Sequence, residues 1–169
     1  MSPAPVAGSR APWWKGAHGE WFVIVQLLLM ALLLFGPRTV AGWPPSRLPS
    51  SHAGRLAGLV LMVGGAGFLF AGVARLGKSL TPLPYPKEAA KLVQSGPFAL
   101  VRHPLYSGGL AFAIGWALFV HSWLTWLYAA LLFVLIDVKS RREEWWLRER
   151  FPEYASYQRR VRKLIPFLY

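Results

Sequence analysis

The sequence predicts an all-α integral membrane protein with four transmembrane helices, the last two forming a C-terminal helical hairpin, followed by a cytoplasmic amphipathic tail helix. Three observations predict this. Of 169 residues, 54% are hydrophobic and only 15% charged, with a mean hydropathy of +0.35, which leaves too few charges to cover a water-soluble globule of this size. The apolar residues are gathered into long charge-free runs, and the basic residues are divided very unevenly between the connections that join them.

The leader, 1–19, is rich in Pro, Ala, Gly and Ser and is expected to be disordered. Two N-terminal spans occupy 20–78. In the first, from Trp21 to Phe35, Gln26 is the one polar side chain, and the run reaches the roughly 20 residues a bilayer needs if it continues to Val40. It reads as an uncleaved anchor, kinked at Gly36-Pro37, with a weak cleavage-like Val40-Ala41 as the counter-signal. Trp13, Trp14, Trp21 and Trp43 flank it as interfacial aromatics do. The second span, Leu56 to Ala74, is nineteen residues without a formal charge, with Gly58, Gly65 and Gly72 seven apart on one face and Gly54 four before them. Small residues at that spacing let another helix approach closely. Gly64-Gly65-Ala66-Gly67 lies inside this apolar helix without the lysine of a phosphate loop, so it reads as packing.

The remaining 79–169 form one unit. Pro104 to Ile136 is thirty-three residues without Asp, Glu, Lys or Arg. As one helix it would run about 50 Å, beyond a hydrocarbon core of about 30 Å. The run must fold back, and the break falls best at His121-Ser122, with Trp116, Trp123 and Trp126 around the turn. His121 is expected to be a turn and interface residue. After Pro152, Tyr154, Tyr157 and Val161 at i, i+3 and i+7, with Arg159, Arg160, Arg162 and Lys163 on the other faces, predict the basic amphipathic tail helix.

Four spans place the leader, the 75–102 connection and the tail on one side, with sixteen Lys and Arg, and leave Arg38, Arg47 and Arg55 on the other. The positive-inside rule makes the sixteen-charge side cytoplasmic, with both termini inside and an inner-membrane location. A net charge of +12 would suit nucleic acid in a soluble domain; on this apolar chain it points to anionic lipid head groups, and nucleic acid is not expected. Zero cysteines exclude a disulfide framework, a thiolate nucleophile and Cys-based metal sites, and four histidines without HExxH spacing argue against a metal enzyme.

The cytoplasmic face carries the chemistry. Pro82, Pro84 and Pro86 at alternate positions enforce extended backbone along the surface, leading to Arg102-His103-Pro104, where Pro104 suits the first turn of a helix. Such a start offers unpaired backbone N–H groups and a positive dipole end beside a cation, a setting for a carboxylate or phosphate. Asp137, Arg141 and Glu144 fall at i, i+4 and i+7 where the fourth helix continues into water. Glu143-Glu144 follows His103 by forty residues, the length of a hairpin, so both motifs are expected to meet at its cytoplasmic base.

The segment LVQSGPFALVRHPLYSGG (Leu92 to Gly109), the pattern at Glu143, Glu144 and Leu147, and EYASYQRRV with IPF between Glu153 and Phe167 resemble the membrane-embedded isoprenylcysteine carboxyl methyltransferases and their relatives, the phospholipid N-methyltransferases. Phe98 stands where Tyr is commoner in that family, and Pro152 interrupts the linker to the last helix. The resemblance implies S-adenosylmethionine as cofactor, bound on the cytoplasmic side, and a lipophilic acceptor entering from the lipid, an isoprenylcysteine-like carboxylate ranked ahead of a phosphatidylethanolamine-type amine. Carried over, it places the cofactor among Leu92, Val93, Gly96 and Pro97 (backbone contacts and adenine packing), Arg102, His103 and Tyr106, with Glu143 or Glu144 on its ammonium. Arg141 and Arg160 are the candidates for orienting an anionic acceptor. Membrane sterol reductases, which use a reduced nicotinamide cofactor, are similar in the Arg-His-Pro-x-Tyr segment but larger, and a non-catalytic membrane subunit is the remaining alternative.

Overall fold

The computed structural model describes residues 19–39, 52–85 and 90–169. Among them are five α-helices, α1 (Glu20–Phe35), α2 (His52–Leu76), α3 (Pro104–Val120), α4 (Trp123–Arg150) and α5 (Tyr154–Arg160), with short 3-10 turns at Gly77–Ser79 and Gly96–Ala99 and no named strand. The leader to residue 18, Trp13, Trp14, Val40, Ala41, Trp43, Arg47 and Pro86 lie outside the described residues.

α1 is shorter than expected. It stops at Phe35 because Pro37 drives Gly36 into extended backbone (φ −69°, ψ 170°), leaving 16 residues, about 24 Å of helix. α3 has 17 residues. Two helical stretches, His52–Ser79 and Trp123–Arg150, are long and apolar enough to cross a membrane; α1 and α3 are apolar but shorter. Leu27, Phe35, Val60, Val63, Phe70 and Val134 are all exposed, an apolar belt that water would penalise and lipid would not.

The predicted break occurs where the charge-free run was expected to turn. His121 takes φ 52° and closes α3, and Ser122 caps α4, accepting from Thr125 N at 3.3 Å while donating to Arg38 O at 2.7 Å. The end of α1 is tied to the same turn: Trp116 Nε1 donates to Leu33 O at 2.9 Å. At the opposite end of the bundle α4 runs past the apolar run to Arg150.

The helices alternate in direction, with α2 packed on α3 and α1 on α4. Gly58, Gly65 and Gly72 are the buried residues of α2; the first two face glycines of α3, and Gly72 packs on Pro104 and Leu105. A Cβ on Gly65 would stand 2.6 Å from Gly108 O, and one on Gly58 2.6 Å from Gly115 O. Nothing lies within 4 Å of the Cβ positions of Gly64 and Gly67, so within the glycine cluster it is Gly65 that packs.

The tail differs from expectation. α5 is only seven residues, and Val161 lies beyond it. Its Tyr154 and Tyr157 turn inward and are buried, as is Lys163. The physical reason is a competing pairing: after α5 the chain runs extended beside 101–103, with Arg102 N donating to Arg162 O at 2.8 Å and His103 N to Lys163 O at 3.1 Å. Backbone hydrogen bonds to the loop replace those of a longer surface helix.

Candidate active site

The loop after α2 crosses the end of the bundle. Thr81 Oγ1 accepts from Leu83 N at 3.2 Å, Pro84 is buried, and the Tyr85 ring meets Trp146 of α4 edge-on with centroids 5.0 Å apart. Returning, the chain turns at Gly96, whose φ of +64° favours glycine. The 3-10 turn that follows presents Phe98, and His103 ends the loop as the residue before Pro104, the first residue of α3.

Two adjacent glutamates have different work. Glu144 is buried and its carboxylate is saturated: it accepts from Arg102 Nε at 2.7 Å and from Gln158 Nε2 at 2.7 Å, and lies 3.1 Å from His103 Nε2. Arg102 also donates through Nη1 to Gln158 O and Val161 O, so this cluster locks loop, α4 and tail together. Glu143 accepts from Tyr106 OH at 2.9 Å and stands 3.7 Å from His103 Nδ1, with a quarter of its side chain exposed. His103 thus lies between two carboxylates and stacks on Tyr106 at 5.4 Å.

Tyr157 OH donates to Phe98 O at 2.6 Å, whereas the buried Tyr154 hydroxyl has no hydrogen-bond partner. Burial pushes the phenol of Tyr154 well above its ordinary value, Glu144 raising it further against Arg102; burial does the same for Tyr157 against the opposing Arg102.

These groups wall a cavity of about 390 Å³. Of the residues expected to form the site, Leu92, Val93, Arg102, His103, Tyr106 and Glu143 line it. Gly96, Pro97 and Glu144 do not; Gly96 and Pro97 instead form the turn that brings Phe98 to the wall. Arg141 and Arg160 do not line it either. Arg141 is 69% exposed and paired with Asp137 at 2.9 Å, and Arg160 is exposed and donates to Gln94 Oε1 at 3.0 Å. Asp137 also holds Lys163 and accepts from Tyr169 OH at 2.6 Å. The expected Asp137, Arg141 and Glu144 face is therefore two separate clusters, one at the surface and one buried at the base of the cavity.

Lys139, one of the sixteen basic residues on the side read as cytoplasmic, is 2% exposed and lines the cavity. Its Nζ donates to Gln26 Oε1 at 2.7 Å and lies 5.3 Å above the Tyr106 ring. The signal for it was Gln26, the single polar residue of the first span, since a polar group at that depth needs a partner.

A bundle with apolar outer faces, carrying a cavity at one end lined by both a carboxylate and cations, defines a membrane-associated protein with a site for a zwitterionic or charged ligand. The phospholipid methyltransferase family matches residues 54–154, more than half of the chain, and the chain belongs to that family. The cobalt-zinc-cadmium resistance protein CzcN of Cupriavidus metallidurans is 32% identical over 151 residues, which is 89% of this chain and 63% of that protein. The nickel-cobalt-cadmium resistance protein NccN of Alcaligenes xylosoxydans xylosoxydans is 28% identical over 171 residues, 99% of this chain and 74% of its own. A probable protein-S-isoprenylcysteine O-methyltransferase of Oryza sativa subsp. indica is 30% identical over 115 residues, 66% of this chain and 60% of that one. The chain thus spans less than two thirds of the length of CzcN and of the rice protein.

Proposed function

We propose that this chain is a membrane methyltransferase that takes the methyl group of S-adenosylmethionine and transfers it to a lipophilic acceptor, an isoprenylcysteine-like carboxylate ahead of a phosphatidylethanolamine-type amine. The observation that carries this reading is that Glu143 and the Arg102-His103 start of α3 line one cavity side by side, the carboxylate 3.7 Å from His103 Nδ1. The residues fit the cofactor. Its amino-acid end carries a carboxylate and an ammonium; the α3 start with Arg102 and His103 suits the first, and Glu143, not yet saturated by charged partners, suits the second. Leu92, Val93 and Phe98 supply apolar wall for the adenine, Gly96 and Pro97 hold that wall in place, and the partnerless Tyr154 hydroxyl offers a further hydrogen bond. A volume of about 390 Å³ lies within the range of small-molecule sites.

The bound cofactor supplies an electrophilic methyl on a sulfonium whose charge disperses on transfer. The protein's part is to bind, orient and exclude water. Tyr106 holds Glu143 by its hydroxyl, Glu144 holds Arg102 and His103, and the Pro-rich loop covers the site. Alignment in such a dry site supplies most of the acceleration. A carboxylate acceptor is already ionised near neutral pH, so no general base is needed. We place acceptor orientation within the cavity, with Arg141 and Arg160 acting from outside it through the field they add over anionic lipid. With four crossings, the uneven split of basic residues supports a site on the cytoplasmic side of the inner membrane.

Calorimetry on the full chain in detergent tests the reading. Saturable binding of S-adenosylmethionine and none of reduced nicotinamide nucleotide is expected, weakened in His103→Ala and Glu143→Gln. Binding of the nicotinamide alone, or of neither, would overturn it.

A further inference from the structure

A second cavity, of about 240 Å³, continues from the first into the bundle. The two share Gln26, Leu69, Leu105 and Tyr106 as a neck. Below the neck the walls are apolar side chains of all four long helices, with Leu33 and Leu34 of α1 facing Ala66 and Phe70 of α2. α1 packs on α4 rather than on α2, so the cavity lies between helices that are not closed on each other. At the neck stands Lys139. Among the described residues no carboxylate forms an ion pair with it. The acid one turn away, Glu143, accepts from Tyr106 instead. A cation 2% exposed, hydrogen-bonded to an amide oxygen and set over an aromatic face, with the Glu143 carboxylate near enough to attract it but not paired with it, is costly unless an anion completes it.

We propose that Lys139, positioned by Gln26, reads the anionic end of the acceptor at this neck while a single hydrocarbon chain fills the second cavity. The proposal rests on the methyltransferase reading for the word acceptor, and on the geometry alone for the site. The ligand class is a single-chain amphiphile with a terminal carboxylate. The neck is lined by two leucines, a tyrosine and Gln26, to which Lys139 is bonded, and a volume of about 240 Å³ suits one hydrocarbon chain better than the two of a diacyl lipid. Lys139 and Gln26 are then specificity-determining residues, and the cofactor's own carboxylate is left to the α3 start.

The test is equilibrium binding of N-acetyl-S-farnesylcysteine and of its uncharged methyl ester to the full chain in phosphatidylcholine nanodiscs, with S-adenosylmethionine affinity measured on the same samples. The unmodified chain is expected to hold the acid at least about tenfold more tightly than the ester, as loss of a buried charge partner implies. Lys139→Met should erase that preference, Lys139→Arg should restore part of it, and both should leave cofactor affinity unchanged. Gly109 lines the second cavity and has nothing within 4 Å of its Cβ position; Gly109→Leu should therefore weaken acid and ester together and spare the cofactor. A preference that survives Lys139→Met in the folded protein would overturn the inference. So would loss of cofactor binding in that variant, because the cation would then belong to the cofactor. If the unmodified chain shows the acid preference but binds no S-adenosylmethionine, the methyltransferase reading falls and this site stands.

Discussion

Arg102 and Glu144, 42 residues apart in the chain, meet at 2.7 Å with both side chains largely withdrawn from solvent. The pair joins the loop before α3 to the C-terminal part of α4, and through Gln158 and Val161 it also holds the tail. It is a structural clamp on which the cavity is built.

Glu143 and Glu144 are therefore predicted to separate cleanly. Glu144→Ala strands the Arg102 cation and should cost about 3 to 5 kcal/mol, seen as a large drop in melting temperature and protease cleavage within the tail. Glu143→Gln should melt close to the unmodified protein while binding S-adenosylmethionine about tenfold or more weakly. Equal stability losses in the two variants would contradict the assignment.

The glycine seam makes a second separation. Gly65→Leu drives a side chain into the Gly108 backbone and should destabilise the detergent-solubilised protein by about 1 to 3 kcal/mol or more. Gly64→Leu, on the open side of the same turn, should change little. Thermal melts of the two, side by side, check the seam without reference to function.

The buried tyrosines of α5 set the alkaline limit. Their folded-state phenols are raised above the ordinary 10.0 mainly by burial. In the unfolded chain they ionise near that value, so above it the unfolded state binds fewer protons and stability falls as pH rises. Each contributes about 1.4 kcal/mol per pH unit in that window. Denaturant melts should lose stability steeply above pH 10.0, and Tyr154→Phe with Tyr157→Phe should flatten the loss. Tyr157→Phe also gives up the bond to Phe98 O, about 1 kcal/mol.

Arg141 and Arg160 lie outside the cavity, so Arg141→Ala and Arg160→Ala should each leave S-adenosylmethionine affinity within about twofold and the melting temperature little changed. Methyl transfer in liposomes should become less dependent on anionic lipid in the double variant. A loss of cofactor binding in either single variant would place it in the site after all.

Much of this architecture was determined by the chain itself. A charge-free run too long for one crossing had to break, and the polar pair His121-Ser122 was where it could; Gly58, Gly65 and Gly72 marked the face of α2 that could approach another backbone; forty-one residues of hairpin brought Glu144 back to His103. Each of these follows from rise per residue or from periodicity, which act along one helix. Tertiary structure decided which faces meet. Successive helical positions differ by about 100°, so only the packing of α4 against loop and tail turned Glu144 into the clamp and left Glu143 on the cavity. The same holds for Lys139, whose partner is 113 residues away on α1, and for the tail, where pairing of Arg162 with the loop beside His103 outweighed the amphipathic pattern. A one-dimensional pattern shows that a residue must be paired or buried; the choice of partner depends on how whole helices dock, and that is fixed by the sum of their contacts.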